Sequence, residues 1–444
     1  MVVDQAWRGA AQHPQDAFMH IVLSSRHYPP ETGRGGLGTY TYHLAHALVE
    51  AGHHVVVVSN SPASTVEELD GRVRVVKFEF RWQHHWFLKR TRNAVRYSFI
   101  LARTLRKLHR QQPIDVVHFP DLLGEGAAYL MRPGVPVVIR TAMPIGSLEA
   151  GNDDSWKRSS LDRIDEWMAA GLESFALRRA HSLVTPSAWM ARELTRSHPG
   201  LPQPRIVSNG TDLELFRPRP RDEARTNAGI PQDALVYLYA GPLEFRKGVH
   251  LLPRAFEIVS RQHPEAMLVI AGGDHLTAPG SGSMRRWLEI QVESREIDER
   301  TLFLGTVAAD RMPEIYAIAD VLVAPTRGEA FGNVIMEALA CGLPVITTSE
   351  GGQAELVIHG ETGVLIPPGN PEALAEGMLG VAEDAETRRA AGRDARTEAL
   401  ARFDRKLMAQ RFTAVYREVT DPHELSPADD LASTLPTREP SAIN

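Results

Sequence analysis

The stretch VLVAPTRGEAFGNVIMEALACGLPVITTSEGGQAELV, residues 321–357, decides how the rest of the chain is read. A β-branched run, 321–324, stops at Pro325. Gly328 and Gly332 then bracket a turn, 333–340 has the length and composition of a short helix, and 345–348 is a second apolar run before the glycines at 351 and 352. Strand, helix and strand at this spacing make a βαβ unit, whose apolar strands suit a parallel sheet covered on both faces. Two carboxylates, Glu329 and Glu337, stand with seven residues between them. Glu337 lies five residues into the helix, roughly 7.5 Å along its axis, while Glu329 precedes it. The first N–H groups of that helix are free to hold an anion. The two acids can therefore grip the ends of an extended ligand whose negative middle rests on the helix mouth. A nucleotide sugar has that shape; two solvated surface glutamates are the plain alternative.

Outward from this unit, short β-branched runs alternate with amphipathic stretches through most of the 444 residues. Strands are expected at 19–24, 55–59, 73–80, 116–119, 135–139, 182–185 and 205–208, then at 235–240, 267–271, 302–304, 321–324, 345–348 and 363–366. The pattern predicts two doubly wound α/β domains, 17–217 and 218–403, joined through a Pro-rich, aperiodic stretch at 216–231. A last helix at 404–420 is expected to pack back on the first domain, and the Pro-containing tail 421–444 to be disordered. One cysteine, Cys341, excludes a disulfide framework and a Cys-built metal site. Residues 1–18 lack the apolar stretch of a secretion signal and no apolar run reaches about 18 residues, so a cytoplasmic protein is expected, peripheral at most on the inner face of a membrane. Net charge is −6, divided as +5 over residues 1–217 and −11 over the rest. That balance disfavours a nucleic-acid partner.

After the first strand, Gly33, Gly35 and Gly38 satisfy the dinucleotide pattern G-x-G-x-x-G. Eight residues separate the strand from Gly33, and the second strand ends at Ser59 and Asn60 without a carboxylate for a ribose, so a nicotinamide cofactor is not expected. No cofactor is. The glycines instead open a helix whose N-terminus can face a phosphate or sugar across an interdomain cleft.

The region from 321 resembles the E-x7-E region of the retaining glycosyltransferases of family 4, and the likeness extends over most of residues 18–418. Glu329, Phe331, Gly332 and Glu337 match the motif, and Gly342, Pro344, Val345, Gly351, Gly352 and Glu355 its continuation. Gly35, Gly36, an N-G-x-D-x-x-x-F joint (Asn209, Gly210, Asp212, Phe216) and the run GPLEFRKG, 241–248, match further pieces. The resemblance implies a GT-B fold, two Rossmann-like domains facing across a central cleft, and retaining transfer of a sugar from a nucleotide-diphosphate sugar to a hydroxyl. UDP-sugars are favoured and GDP-mannose stands second. It places the ribose on Glu337, the transferred sugar on Glu329, and the diphosphate on Lys247, with Gly35, Gly36, Phe331, Gly332 and Asn333 around the donor. Where the family usually has Arg after the first glycine of GPLEFRKG, this chain has Pro242, and Arg246 is the available substitute. No Asp-x-Asp metal motif occurs, so cations must neutralise the diphosphate.

The resemblance also implies front-side displacement, in which the leaving diphosphate helps take the acceptor proton. A histidine usual after the strand 135–139 is absent; Arg140, Thr141 or Ala142 stands there. His118, at the end of a strand expected to open onto the cleft, is a catalytic candidate, and Asp121, Arg140 and Asn152, the last in a polar loop with Asp153 and Asp154, are acceptor-side candidates. The acceptor itself, a glycan, a lipid or a small molecule, is not specified. A nucleotide-sugar 2-epimerase and a binding-only pseudo-transferase remain as alternatives. Finally, residues 81–110 hold nine Lys or Arg and no acid, interleaved with aromatics. This reads either as a contact with an anionic membrane surface or as a core helix with Val95, Phe99, Ala102, Leu105 and Leu108 inward.

Overall fold

The computed structural model of the protein describes residues 18–28, 35–62, 65–83, 87–141, 159–279 and 282–421. Gly33, Ala142, Asn152, Asp153, Asp154 and the tail beyond Asp421 lie outside them. The first sheet contains β1 (His20–Ser24), β2 (His54–Ser61), β3 (Val66–Asp70), β4 (Val73–Glu79), β5 (Val116–Pro120), β6 (Val137–Arg140), β7 (Ser182–Thr185) and β8 (Arg205–Ile206). They lie in the order β3-β4-β2-β1-β5-β6-β7-β8, and only the β3–β4 pair is antiparallel. The second sheet contains β9 (Leu235–Ala240), β10 (Ala266–Ala271), β11 (Thr301–Gly305), β12 (Val321–Ala324), β13 (Val345–Thr348) and β14 (Gly363–Ile366). Its order is β11-β10-β9-β12-β13-β14, parallel throughout.

Strand order reverses at β1 and at β9, and in such sheets the crevice beyond the carboxyl ends at the reversal is where ligands bind. The glycine loop follows β1 and GPLEFRKG follows β9, so both motifs fall at these points. Central strands such as β1 and β9 are buried along their whole length, which is why they read as continuous apolar runs.

Three expectations need correction. The strand β3 was not expected: its sequence VEELD is mostly exposed at the sheet edge, so it carries neither apolar alternation nor a buried face, and pairing with β4 alone makes it a strand. The joint 216–231 is not aperiodic coil but contains a helix, Arg221–Ala228. It is held by Arg225, whose guanidinium is buried, pairs with Asp320 at 2.8 Å and donates to the carbonyls of Ile318, Gln232 and Ala234. In the helix Lys89–Gln111, Tyr97, Leu101, Leu105 and Leu108 face the core, but Phe99 is 51% exposed.

The chain passes between the sheets at two adjacent points, bridged where Thr211 pairs with Asp404. A Cβ on Gly210 would lie 2.6 Å from the Arg405 Cα, so the glycine of the N-G-x-D joint permits this close crossing. Asp212 pairs with Arg405 at 2.8 Å. Beyond the crossing the helix Arg405–Thr420 lays Met408, Phe412 and Tyr416 against Ile21, Leu23 and Val138 of the first sheet.

Candidate active site

Backbone geometry builds the second domain's half of the site. Gly248 has φ 73°, and a Cβ there would meet the Pro325 carbonyl at 1.9 Å. The turn after β9 can therefore lie directly against the loop after β12. Arg327 N–H donates to the Arg246 carbonyl at 3.1 Å, which ties the loop carrying Glu329 to the turn carrying Lys247. The Glu329 loop is pinned from behind: its N–H donates to Gln353 Oε1 at 2.8 Å, and its carbonyl accepts from Gly352 N–H at 2.7 Å.

Across this junction Lys247 Nζ and Glu329 Oε1 form an ion pair, with 19% and 15% of the two side chains exposed. Burial and the neighbouring Arg246 pull the Lys247 ammonium down to about 7. Arg246 pairs with Glu244 at 3.3 Å. The residues expected on the diphosphate and on the sugar thus contact each other.

The helix Asn333–Ala340 starts at Gly332, φ 109°, and no side chain caps it. The helix Gly36–Glu50 starts at Gly35, again without a side-chain cap or an acid in its first turn. Asn333 joins the two mouths, for its Nδ2 donates to the Gly36 carbonyl at 3.2 Å while its Oδ1 accepts from Asn209 Nδ2 at 2.7 Å. Asn209 Oδ1 in turn accepts from Arg140 Nη2 at 2.7 Å. Two positive helix ends and a guanidinium therefore converge on one gap between the domains. Arg140 is 5% exposed, stacks on Tyr40 at 3.9 Å, and its Nε has no acceptor. Burial pulls its pKa below the usual arginine value, opposed by Asp121, whose N–H donates to the Arg140 carbonyl at 3.1 Å.

Glu337 is 7% exposed, and the Tyr316 hydroxyl donates to its Oε2 at 2.8 Å. Burial pushes its carboxyl up to about 7, against the lowering effect of that bond.

Two expected site residues have buried side chains. That of Phe331 is 5% exposed and packs edge-on to Phe403 in the second domain's core. His118 does not open onto the cleft. It is 3% exposed, its Nδ1 lies 2.6 Å from the Tyr416 hydroxyl and its Nε2 3.4 Å from that of Tyr40. Burial, then Arg140, lowers it to about 3, so the histidine joins the final helix to β5 as a neutral ring. Asn209, Gln353 and Tyr316 were not foreseen as site residues. Asn209 had a signal in the N-G-x-D joint; the other two had none, since their importance lies in which loop they reach. Among the described residues no group of three or more His, Cys, Asp or Glu is placed to hold a metal ion, and no helix is long and apolar enough to cross a membrane.

Two doubly wound sheets with a cleft at both reversal points make a GT-B fold, and solved glycosyltransferase structures share it. Sucrose-phosphate synthase from Thermosynechococcus elongatus superposes with a TM-score of 0.76 at 25% identity, over 90% of this chain and 98% of its own. Anabaena HepE in complex with UDP-glucose does so with a TM-score of 0.67 at 22% identity, over 89% and 99%. Residues 220–398 match the family described as Glycosyl transferases group 1, and residues 35–210 a Glycosyl transferase 4-like domain. A glycogen synthase of Mycobacterium tuberculosis is 32% identical over 419 residues, covering 90% of this chain and 94% of that protein. D-inositol 3-phosphate glycosyltransferase 1 of Catenulispora acidiphila is 30% identical over 436 residues, covering 94% and 98%. The chain belongs to the group 1 glycosyltransferases.

Proposed function

We propose that this enzyme transfers a sugar, with retention at the anomeric carbon, from a nucleotide-diphosphate sugar to a hydroxyl of a carbohydrate-like acceptor. The observation that carries the reading is the Lys247–Glu329 pair beside two uncapped helix mouths. A donor entering the cleft exchanges this pair for two ligand contacts: its diphosphate takes the ammonium, and a hydroxyl of its sugar takes the carboxylate. Lys247 and the helix ends then stabilise the charge that grows on the leaving diphosphate, with Arg246 within reach, so the step relies on preorganised cations and dipoles. A diphosphate oxygen is the acceptor base, a reading motivated by His118 being locked between two tyrosines and Arg140 standing near the usual histidine position. Glu337 holds the ribose.

A uridine diphosphate sugar is the favoured donor, in keeping with the HepE complex with UDP-glucose, and GDP-mannose stands second. The names sucrose-phosphate synthase and D-inositol 3-phosphate glycosyltransferase favour a small polyhydroxylated acceptor over a lipid. Incubation with UDP-glucose, GDP-mannose and a panel of sugar and inositol phosphates is expected to release nucleoside diphosphate and a glycoside of unchanged anomeric configuration. An inverted product would exclude the front-side mechanism, a free epimer would make the chain an epimerase, and binding without release from any donor would make it a pseudo-transferase. The outward cations of the helix Lys89–Gln111 support a separate contact with anionic lipid headgroups, tested below.

A further inference from the structure

At the far end of the donor helix lies a second cluster of cations. Arg217, Arg219, Arg221, Arg388 and Arg389 line a concavity of about 200 Å³ in which Asp320 is the only lining carboxylate among the described residues. Four of these five arginines belong to residues 218–444, the half with net charge −11. Asp320 is engaged by Arg221 and by the buried Arg225. From the rim, Glu214 approaches Arg217 at 3.9 Å and Glu386 approaches Arg389 at 3.3 Å, but these pairs are 60–92% and 63–68% exposed and such pairs hold little energy. Among the described residues, the Arg219 side chain donates to the Leu215 carbonyl at 3.4 Å and that of Arg388 to the carbonyls of Val381 and Ala382, with Asp384 and Glu265 near Arg388 exposed or nearly so. Four guanidinium groups thus face one hollow with no buried carboxylate of their own.

We infer that this hollow binds a compact polyanion of the pyrophosphate class, separately from the donor. Arginine forks match phosphate oxygens bidentately. The volume is below the roughly 300–1,000 Å³ of drug-sized pockets, so it takes a pair of phosphate groups rather than a whole nucleotide. The helix Asn333–Ala340 has eight residues, which separates this site from the donor mouth by about 12 Å. The two ends are linked through Tyr316, which lines the hollow and donates to Glu337, and through Cys341, also on the lining, whose N–H donates to the Glu337 carbonyl.

Cys341, the only cysteine in the chain, lines the hollow, and burial leaves it 8% exposed and pushes its thiol up to about 12, so its alkylation at alkaline pH reads access to this lining. Inorganic pyrophosphate at low ionic strength is expected to slow that alkylation at least threefold in the wild-type chain and in Lys247→Ala. It should not do so in the double variant Arg219→Ala, Arg389→Ala, two exposed positions whose loss leaves the fold intact by circular dichroism. Calorimetry should find pyrophosphate binding at this site weakened at least tenfold in the double variant. Repeating the measurement with ATP and with adenosine separates a nucleotide's phosphate tail from free pyrophosphate; protection by adenosine alone contradicts the assignment. An unprotected wild-type thiol, or equal protection in the double variant, overturns the proposal. Retention in Lys247→Ala keeps its outcome independent of the donor site.

Discussion

On the proposed function, donor binding turns on Lys247. Replacement by Ala is expected to raise the donor dissociation constant at least tenfold while leaving the unfolding midpoint near the wild-type value; an unchanged constant in a titration would remove Lys247 from the site. Its pH behaviour follows from the same burial. The free ammonium is pulled down to about 7, and a diphosphate binds the protonated form and raises that value. Above pH 7 binding must therefore take up a proton, and donor affinity should fall as pH rises from 7 to 9. Calorimetry in buffers of different ionisation enthalpy measures the uptake directly, and proton release would reverse the assigned pairing. The spacing of Glu329 and Glu337 and the lysine of GPLEFRKG were legible in the sequence because the backbone conserves the distance between them along one turn and one helix. That Lys247 reaches Glu329, 82 residues away, was not, since the contact depends on Gly248 and Pro325 packing backbone to backbone.

At the level of single elements, the helix Lys89–Gln111 packs one face on the core and presents a basic row on the other. Tyr97, Leu101, Leu105 and Leu108 pack into the first domain's core at three- and four-residue steps, and Arg92, Phe99, Arg103, Arg106 and Arg110 form an outward row at the same steps. None of these four arginines has an acidic partner among the described residues. Vesicles containing phosphatidylglycerol are expected to pellet the protein at low salt and to release it as the Debye length shortens towards about 3 Å at 1 M. Arg103→Glu with Arg106→Glu should abolish the effect; no lipid-dependent pelleting of the wild type would leave only the packing role. The strand β3 and the helix Arg221–Ala228 escaped sequence reading for opposite reasons. The strand has no buried face to print a pattern, while the helix is organised by one arginine rather than by an apolar stripe.

For the whole molecule, polar contacts join the facing surfaces of the two domains beside the double crossing and the final helix. Glu355 of the second domain caps a helix of the first, accepting from the N–H groups of Ala188 at 2.9 Å and Trp189 at 2.5 Å. Ser187 donates to the Ala330 carbonyl at 2.7 Å. A charged cap of this kind is worth about 1–2 kcal/mol. Glu355→Ala is expected to cost that much in urea unfolding and to lower kcat at least fivefold, with donor Kd within twofold, because donor groups lie mainly in one domain while transfer needs both. A kcat equal to wild type would assign the alignment of the cleft to the remaining bridges.

The sequence by itself determined the two doubly wound sheets, the strand ends that carry the glycine turns, and the positions of the acids and the lysine assigned to the proposed donor site. These are local properties: buried parallel strands must be apolar runs, tight turns demand glycine, and helix spacing is set by the backbone. Only the tertiary structure decided that His118 is locked between Tyr40 and Tyr416, that Phe331 belongs to the core, that Asn209 and Asn333 relay Arg140 to the helix mouths, and that five arginines surround one hollow. Each of these depends on side chains brought together from distant segments, and burial, which settles whether a polar group is a ligand or a brace, is a property of the packed chain alone.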